Sequence, residues 1–395
     1  MTGLAMGLSD SLFANYFKDA YNVDAFQRGL IEFPRELPGF ICVFIVASLA
    51  WLGDIRLAII SQTLMVIGLV VLGLFTPAFG VMLVFLFINS LGMHMFMPLS
   101  DSIGMSLADK GNFGAMKGKF NGIRSALAMV AAVVVFIGFR AGFFSFTSPI
   151  KVTFLIAAAA LCVVTVCLIL MLRLQPGEKI KFGPGAAKTK INLVFRKEYT
   201  LYYLLAMLFG ARKQIMGVYG PWVLIELMGF GADNMALLVI VGAGIGMFFM
   251  PAVGRWIDRY GSVRIIIIEE IAFAVIYIVY IILSAGLSSG RMSAAGIVIV
   301  LAFIVNAADR MTAQFGMVRT VYMRSIAIKP EDVTPTLSTG MALDHVLSIV
   351  SAFLCGFIWR TWGPQYVFVF AMLLCAGNIA VAWGIRRSGK SRSLS

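Results

Sequence analysis

Apolar runs of about twenty residues recur along this chain, and a helix of that length crosses the ~30 Å hydrocarbon core of a bilayer. The first extends from the start to about Phe17 and is short; the next five cover approximately 29–52, 57–76, 79–107, 121–143 and 150–172. After a polar stretch come approximately 199–228, 234–257, 263–286, 292–322, 336–359 and 364–385. Inside a bilayer each backbone N–H and C=O must be satisfied within the protein, so spans of this length are read as helices. Composition agrees, with 60% hydrophobic against 13% charged residues in 395. Soluble chains average about 45–50% and 25%, and a soluble core of this length cannot hide the excess. A soluble enzyme, a disordered chain and a disulfide scaffold are excluded. The expected fold is an all-α membrane protein of twelve transmembrane helices.

Cys42, Cys162, Cys167, Cys355 and Cys375 all lie in apolar runs without ligand spacing, so they read as small buried hydrophobes. No metal and no cofactor are expected. The first run has neither a basic start nor a small-residue cleavage site and is read as a retained span. The net charge of +13 does not point to nucleic acid, because no basic face with interleaved aromatics accompanies it. It reflects the loops. Placing the loops after spans 2, 4, 6, 8 and 10 and the C-terminus in the cytoplasm puts 22 of the 32 Lys and Arg there, Arg319 among them, against six outside. That asymmetry is the positive-inside pattern and predicts both termini in the cytoplasm of an inner or plasma membrane.

The longest polar stretch, Leu174 to Lys197, carries Pro and Gly and reads as a cytoplasmic linker. It divides an N-terminal six-helix bundle, 1–173, from a C-terminal one, 198–387, followed by a basic tail, 388–395. Halves of this kind should show internal correspondence. The loop after span 8 reads Gly254-Arg255-Trp256-Ile257-Asp258-Arg259-Tyr260-Gly261, with Arg264 beyond it. This resembles the G-x-x-x-D-R-x-G signature loop of the major facilitator superfamily. Upstream, Asn15 to Asp19 and Val23 to Gly29, with Gln27 and Gly29 opening span 2, are similar to that family's connection between spans 1 and 2. In the first half Ala50 and Trp51 stand where the acid and Arg belong, and only Gly53, Asp54 and Arg56 remain of the pattern. The resemblance implies two pseudo-symmetric bundles, a latch on the cytoplasmic side formed by Gly254, Asp258, Arg259 and Gly261, and a solute site near the bilayer midplane reached by rocking one bundle against the other. Asp258 is expected to contact a helix end or a basic residue. The plainer reading of the loop is a tight basic turn.

Ionisable groups at mid-membrane cost at least ~2.5–3.5 kcal/mol on insertion scales and by default mark function. Counting from span ends places Asp10 mid-span in helix 1, His94 in helix 4 with Asp101 nearer the cytoplasm, Arg212 and Lys213 in helix 7, and Asp309 and Arg310 in helix 10. The family resemblance implies that these four helices line the central cavity. Ser90, His94 and Asp101 share a helical face; so do Asn306, Arg310 and Gln314, and likewise Arg212 and Tyr219. Helix 11 adds Asp344 and His345, with Gly340 and Ser348 a turn to either side of Asp344. Glu269 and Glu270 in helix 9 have no assigned role. Glu32, Arg35 and Glu36 in helix 2 are read as an external gate or an exposed vestibule.

The expected function is a secondary active transporter, coupled to protons or Na⁺, for a small polar or anionic organic solute. It is neither an enzyme nor a nucleic-acid binder, and it works as a monomer. Arg212, Lys213, Arg310, His94, Tyr219, Asn306 and Gln314 are the candidate substrate residues, the cations being suited to a carboxylate or phosphate. Asp10, Asp101, Asp309, Asp344 and His345 are the candidate coupling groups. Arg212 and Arg310 are expected to be offset by Asp309 or Asp10. The alternative is a proton/drug antiporter, which calls for acids in an apolar, aromatic-rich cavity. No GxxxxGK[ST], HExxH or GxSxG occurs, so ATP-driven pumping and hydrolysis are disfavoured.

Overall fold

A computed structural model describes residues 1–9, 12–106, 113–174, 195–329 and 332–387. Asp10, most of the linker and the tail lie outside these residues. Among the described residues the secondary structure is helical throughout. The α-helices are α1 (Thr2–Ser9), α2 (Phe13–Tyr21), α3 (Ala25–Ser48), α4 (Asp54–Leu74), α5 (Phe79–Ser106), α6 (Phe113–Arg140) and α7 (Val152–Leu174), then α8 (Thr200–Trp222), α9 (Ala232–Tyr260), α10 (Ser262–Ser288), α11 (Ile297–Ala313), α12 (Val318–Ile326), α13 (Val333–Thr361) and α14 (Pro364–Arg387). Among the described residues eight stretches are long and apolar enough to cross a membrane, four before the linker and four after it. The remaining expected spans coincide with α1–α2, α3, α8 and α9, which are shorter or carry more charge.

α10 shows what solvent this fold is built for. Ile268, Ile271, Val275, Ile278 and Ile282 form an exposed stripe at helical spacing, while Glu269, Glu270, Phe273, Tyr277 and Tyr280 are buried. Apolar residues face outward and charged ones inward, the reverse of a soluble helix. Only lipid makes that arrangement favourable.

The chain forms two units. The first takes Met1–Asn22, Pro34–Ile191 and Gly231–Ile240; the second takes Val23–Phe33, Asn192–Phe230 and Val241–Ser395. Both α3 and α9 therefore contribute their first turns to one unit and the rest to the other. In the first unit α4 packs on α5 and α7 around Cys42, Val46, Leu57, Ala58, Met95, Leu99 and Leu168, and α1 packs on α6. In the second, α8 packs on α13 and α10 on α14. Its core joins Tyr199, Tyr202, Leu205, Ile265, Ile266, Phe315, Val318 and Tyr322.

The two expected cytoplasmic loops are built alike. Gly53 caps α4 at φ 81° and ψ 157°, and Gly261 caps α10 at φ 79° and ψ 152°. Side chains are excluded from that backbone region, so glycine is required at both. Asp54, the next residue, is buried in the first turn of α4 and accepts a hydrogen bond from Ser102 Oγ. A carboxylate there is favoured by the amide-rich end of the helix.

The fourth span after the linker departs from a continuous helix. α11 ends at Ala313, a 3₁₀ turn follows over Gln314–Met317, and α12 resumes at Val318. α8 likewise ends in a π-helical turn, Val223–Leu227, just after Pro221. Proline cannot donate the backbone hydrogen bond that would continue a regular helix, and a wider turn absorbs the mismatch.

Candidate functional site

In the second unit, α8 carries Arg212 and Lys213, and the two point to different partners, as adjacent helical residues must. Lys213 Nζ donates to Asp344 Oδ1 at 3.0 Å and Oδ2 at 2.9 Å across the α8–α13 seam. Ser348 Oγ donates to Asp344 Oδ1 at 3.2 Å and to Gly210 O at 3.2 Å. A Cβ on Gly210 would lie 2.1 Å from Asp344 Oδ1, so only glycine lets the helices approach this closely. Lys213 remains 41% exposed, and His345, next in sequence, is partly buried.

Arg212 is 1% exposed and pairs with neither Asp309 nor, among the described residues, any aspartate. Its Nη2 donates to Glu269 Oε1 at 2.8 Å, and its Nε stands 3.3 Å from Glu270 Oε2. Arg319 of α12 completes the cluster, with Nη1 2.9 Å from Glu269 Oε2 and Nη2 2.9 Å from Glu270 Oε1. The Arg319 Cζ lies 4.0 Å from the Phe209 ring centroid, and the Arg212 Cζ lies 3.8 Å from that of Phe273. Sequence reasoning placed Arg319 among loop cations and gave the glutamates no role. The structure buries all three residues where α12, directly after the 3₁₀ turn, packs against α10. The pairing of two consecutive acids with two arginines in a hydrophobic span was the available signal.

On α11, Asn306 is buried while Asp309 and Arg310 are partly buried. Among the described residues no carboxylate lies within 4 Å of the Arg310 guanidinium, and no cation lies within 4 Å of Asp309. The Arg310 stem packs near Gly242. Gln314 Nε2 donates to Arg310 O at 3.3 Å, from within the 3₁₀ turn. Tyr219 of α8 is fully buried, its hydroxyl donating to Ala352 O at 2.6 Å. Beside it, Gln214 Nε2 donates to Glu32 Oε2 at 2.7 Å, and Glu32 is ion-paired to Arg28 one turn earlier. Glu32, read from the sequence as part of an external gate or an exposed vestibule, is thus 1% exposed, which disfavours the vestibule.

In the first unit, His94 Nδ1 lies 2.9 Å from Ser90 O and 3.2 Å from Ser90 Oγ. Pro98, four residues on, has no N–H to give the His94 carbonyl. Asp101 is exposed and lines a cavity of about 320 Å³ with Met65, Met93, Phe96, Phe120 and Arg124.

At the signature loop, Gly254 is partly buried, and Asp258 and Arg259 are exposed at the end of α9. The Arg259 Cζ lies 5.4 Å from the Tyr260 ring. Among the described residues Asp258 makes no hydrogen bond or ion pair, contrary to the expected contact: the last turn of α9 holds its carboxylate in the open.

Solved transporters share this architecture. The nucleoside transporter NupG superposes with a TM-score of 0.71 at 16% identity, over 98% of this chain and 96% of that one. An auto-inhibited POT family peptide transporter gives 0.73 at 11% identity, over 100% and 95%. A D-xylose–proton symporter gives 0.68 at 14% identity, over 100% and 96%. At these identities the likeness is one of fold. No curated protein matches the chain by sequence. The family described as Major Facilitator Superfamily matches residues 1–330, more than four-fifths of the chain, and with its paired glycine caps and its G-x-x-x-D-R-x-G loop this chain belongs to the Major Facilitator Superfamily.

Proposed function

We propose that this protein is a proton-coupled secondary transporter that moves a small anionic organic solute across a cell membrane by alternating access. Twelve spans form bundles at 1–173 and 198–387, joined by the cytoplasmic linker 174–197 and ending in the tail 388–395. The protein works as a monomer in an inner or plasma membrane with both termini inside, binds no nucleic acid and performs no catalysis.

The observation that carries the solute class is Arg310. On α8, α11 and α12, Arg212 and Arg319 each face two glutamates and Lys213 faces Asp344, whereas Arg310 has no carboxylate within 4 Å among the described residues. An uncompensated guanidinium at that depth is costly, and an entering carboxylate or phosphate relieves the cost with two parallel hydrogen bonds. Asn306, one turn away on the same face, adds a neutral donor. Asp309, next to Arg310 in sequence, is the nearby acid that tunes the response to pH. Lys213, Asp344, His345, Tyr219 and Gln314, all in the same unit, support this reading, and His94 is the candidate of the other unit. Na⁺ in place of the proton would use the same carboxylates.

One feature favours the drug-antiporter reading: the cavity beside Asp101 is walled by methionine and phenylalanine side chains, which adapt to varied apolar shapes. The deciding experiment is uptake into proteoliposomes from a panel of organic anions, sugars and cationic dyes, with and without a pH gradient. Arg310→Ala should abolish uptake of the transported anion while the protein remains folded. Uptake of cationic dyes alone, unaffected by Arg310→Ala, would put the antiporter ahead.

A further inference from the structure

The buried cluster on α8, α10 and α12 is not used by the reading above. Its charges balance, two guanidiniums against two carboxylates, but the partnership is unequal. Glu269 accepts three hydrogen bonds, from Arg212 Nη2 at 2.8 Å and from Arg319 Nη1 at 2.9 Å and 3.1 Å. Glu270 accepts one, from Arg319 Nη2 at 2.9 Å. Its Oε2 is buried without a hydrogen bond, although Arg212 Nε stands 3.3 Å away. The other ionisable groups around the cluster are Cys375 on α14, Tyr277 on α10, Tyr202 on α8 and Asp309 on α11.

We propose that Glu270 is the residue that takes up and releases the coupling proton. This rests on the proton-coupled reading and assigns its site. A proton bonding to Oε2 makes Glu270 neutral, ends its ion pair with Arg212 Nε and leaves two cations against one anion. The hydrogen bond from Arg319 to Glu270 then weakens, because its acceptor is no longer an anion. Arg319 is the second residue of α12, directly after the 3₁₀ turn, and α11 on the other side of that turn carries Asn306 and Arg310. Phe209 connects the two: its ring lies 4.0 Å from Arg319 Cζ, and a Cβ on Gly316 of the turn would stand 3.0 Å from its Cζ. Loading Glu270 is thereby felt at the interruption of the span that bears the candidate anion ligands. The added positive charge also favours an incoming anion, which gives coupling of the symport sign.

The test needs no solute. In the full-length protein reconstituted in lipid, an infrared pH titration should show the C=O band of a protonated buried carboxylic acid appearing as the pH falls. Glu270→Gln should remove that band, while Asp309→Asn and Asp344→Asn retain it. If Glu270→Gln does not fold, Glu270→Asp decides instead: it should keep the band with a displaced midpoint. A band that survives Glu270→Gln, keeps its midpoint in Glu270→Asp, or vanishes in Asp309→Asn overturns the assignment. In proteoliposomes Glu270→Gln should lose pH-gradient-driven uptake and keep solute exchange. Gradient-driven uptake at the parental rate in that variant would refute Glu270 but leave proton coupling standing. A Glu270-dependent band in a protein whose uptake ignores the gradient would refute proton coupling and leave the proton site standing.

Discussion

Gly53 and Gly261 hold the same backbone conformation, φ 81° and ψ 157° at one and φ 79° and ψ 152° at the other, each at the mouth of the helix that follows. An L side chain in that region costs on the order of 1–3 kcal/mol. Nothing lies within 4 Å of a Cβ built at either position, so the backbone alone carries the penalty. Gly53→Ala and Gly261→Ala should each lower the thermal midpoint of the purified protein by a similar amount. Alanine at a control position with negative φ, such as Gly254, should change it little.

A cysteine introduced at Ser262, beside that turn, should react with a membrane-impermeant maleimide only when the cytoplasmic side is accessible. Labelling from outside intact cells would invert the proposed topology.

Gly210→Ala should be among the most damaging single-methyl changes in the chain. The new Cβ would stand 2.8 Å from the Cα of Asp344 as well as 2.1 Å from its Oδ1, so neither backbone nor side chain can simply turn aside. Overpacking of this kind costs ~1–3 kcal/mol or more. The expected outcome is a reduced folded yield, read by size-exclusion profile, with partial recovery in Gly210→Ala/Asp344→Ser.

Breaking the buried cluster from one side should cost more than removing a balanced pair. Arg212→Ala leaves one glutamate charge underpaired in an enclosed site, a change worth about 3–5 kcal/mol. Removing one charge of each sign with apolar residues of similar volume, Arg319→Met/Glu270→Met, should be closer to neutral in thermal stability. If the double variant is no more stable than Arg212→Ala, the cluster is not a balanced four-charge unit.

Asp309→Asn should weaken the response of uptake to a pH gradient without abolishing exchange. The measurement is the ratio of initial rates with and without the gradient. Comparison with Glu270→Gln ranks the two acids: the residue whose loss removes the response entirely is the carrier, and the other one tunes it.

Fold class was legible in this sequence because lipid acts on composition residue by residue. Stretches such as Val152–Leu174 need no partner to declare themselves, and the cap at Gly261 was readable because a tight turn leaves few alternatives to glycine. Helix rotation was not legible. A helix like α10 is apolar on its lipid face and apolar over most of its buried face, so hydropathy has almost no direction around its axis, and the two glutamates gave the only clue to which side turns inward. The contacts that define the candidate site follow from that rotation. Arg212 meets Glu269 across 57 residues and Lys213 meets Asp344 across 131, separations at which sequence spacing carries no geometric information.

That the chain is a multi-helix membrane protein with a signature loop and charges at mid-span was determined by the sequence itself, since burial in lipid selects residue types locally. Which charges neutralise one another, and which cation has no carboxylate within 4 Å among the described residues, was decided only by the tertiary structure. Electrostatic energy falls with distance between side chains, and those distances exist only once α8, α10, α12 and α13 have packed.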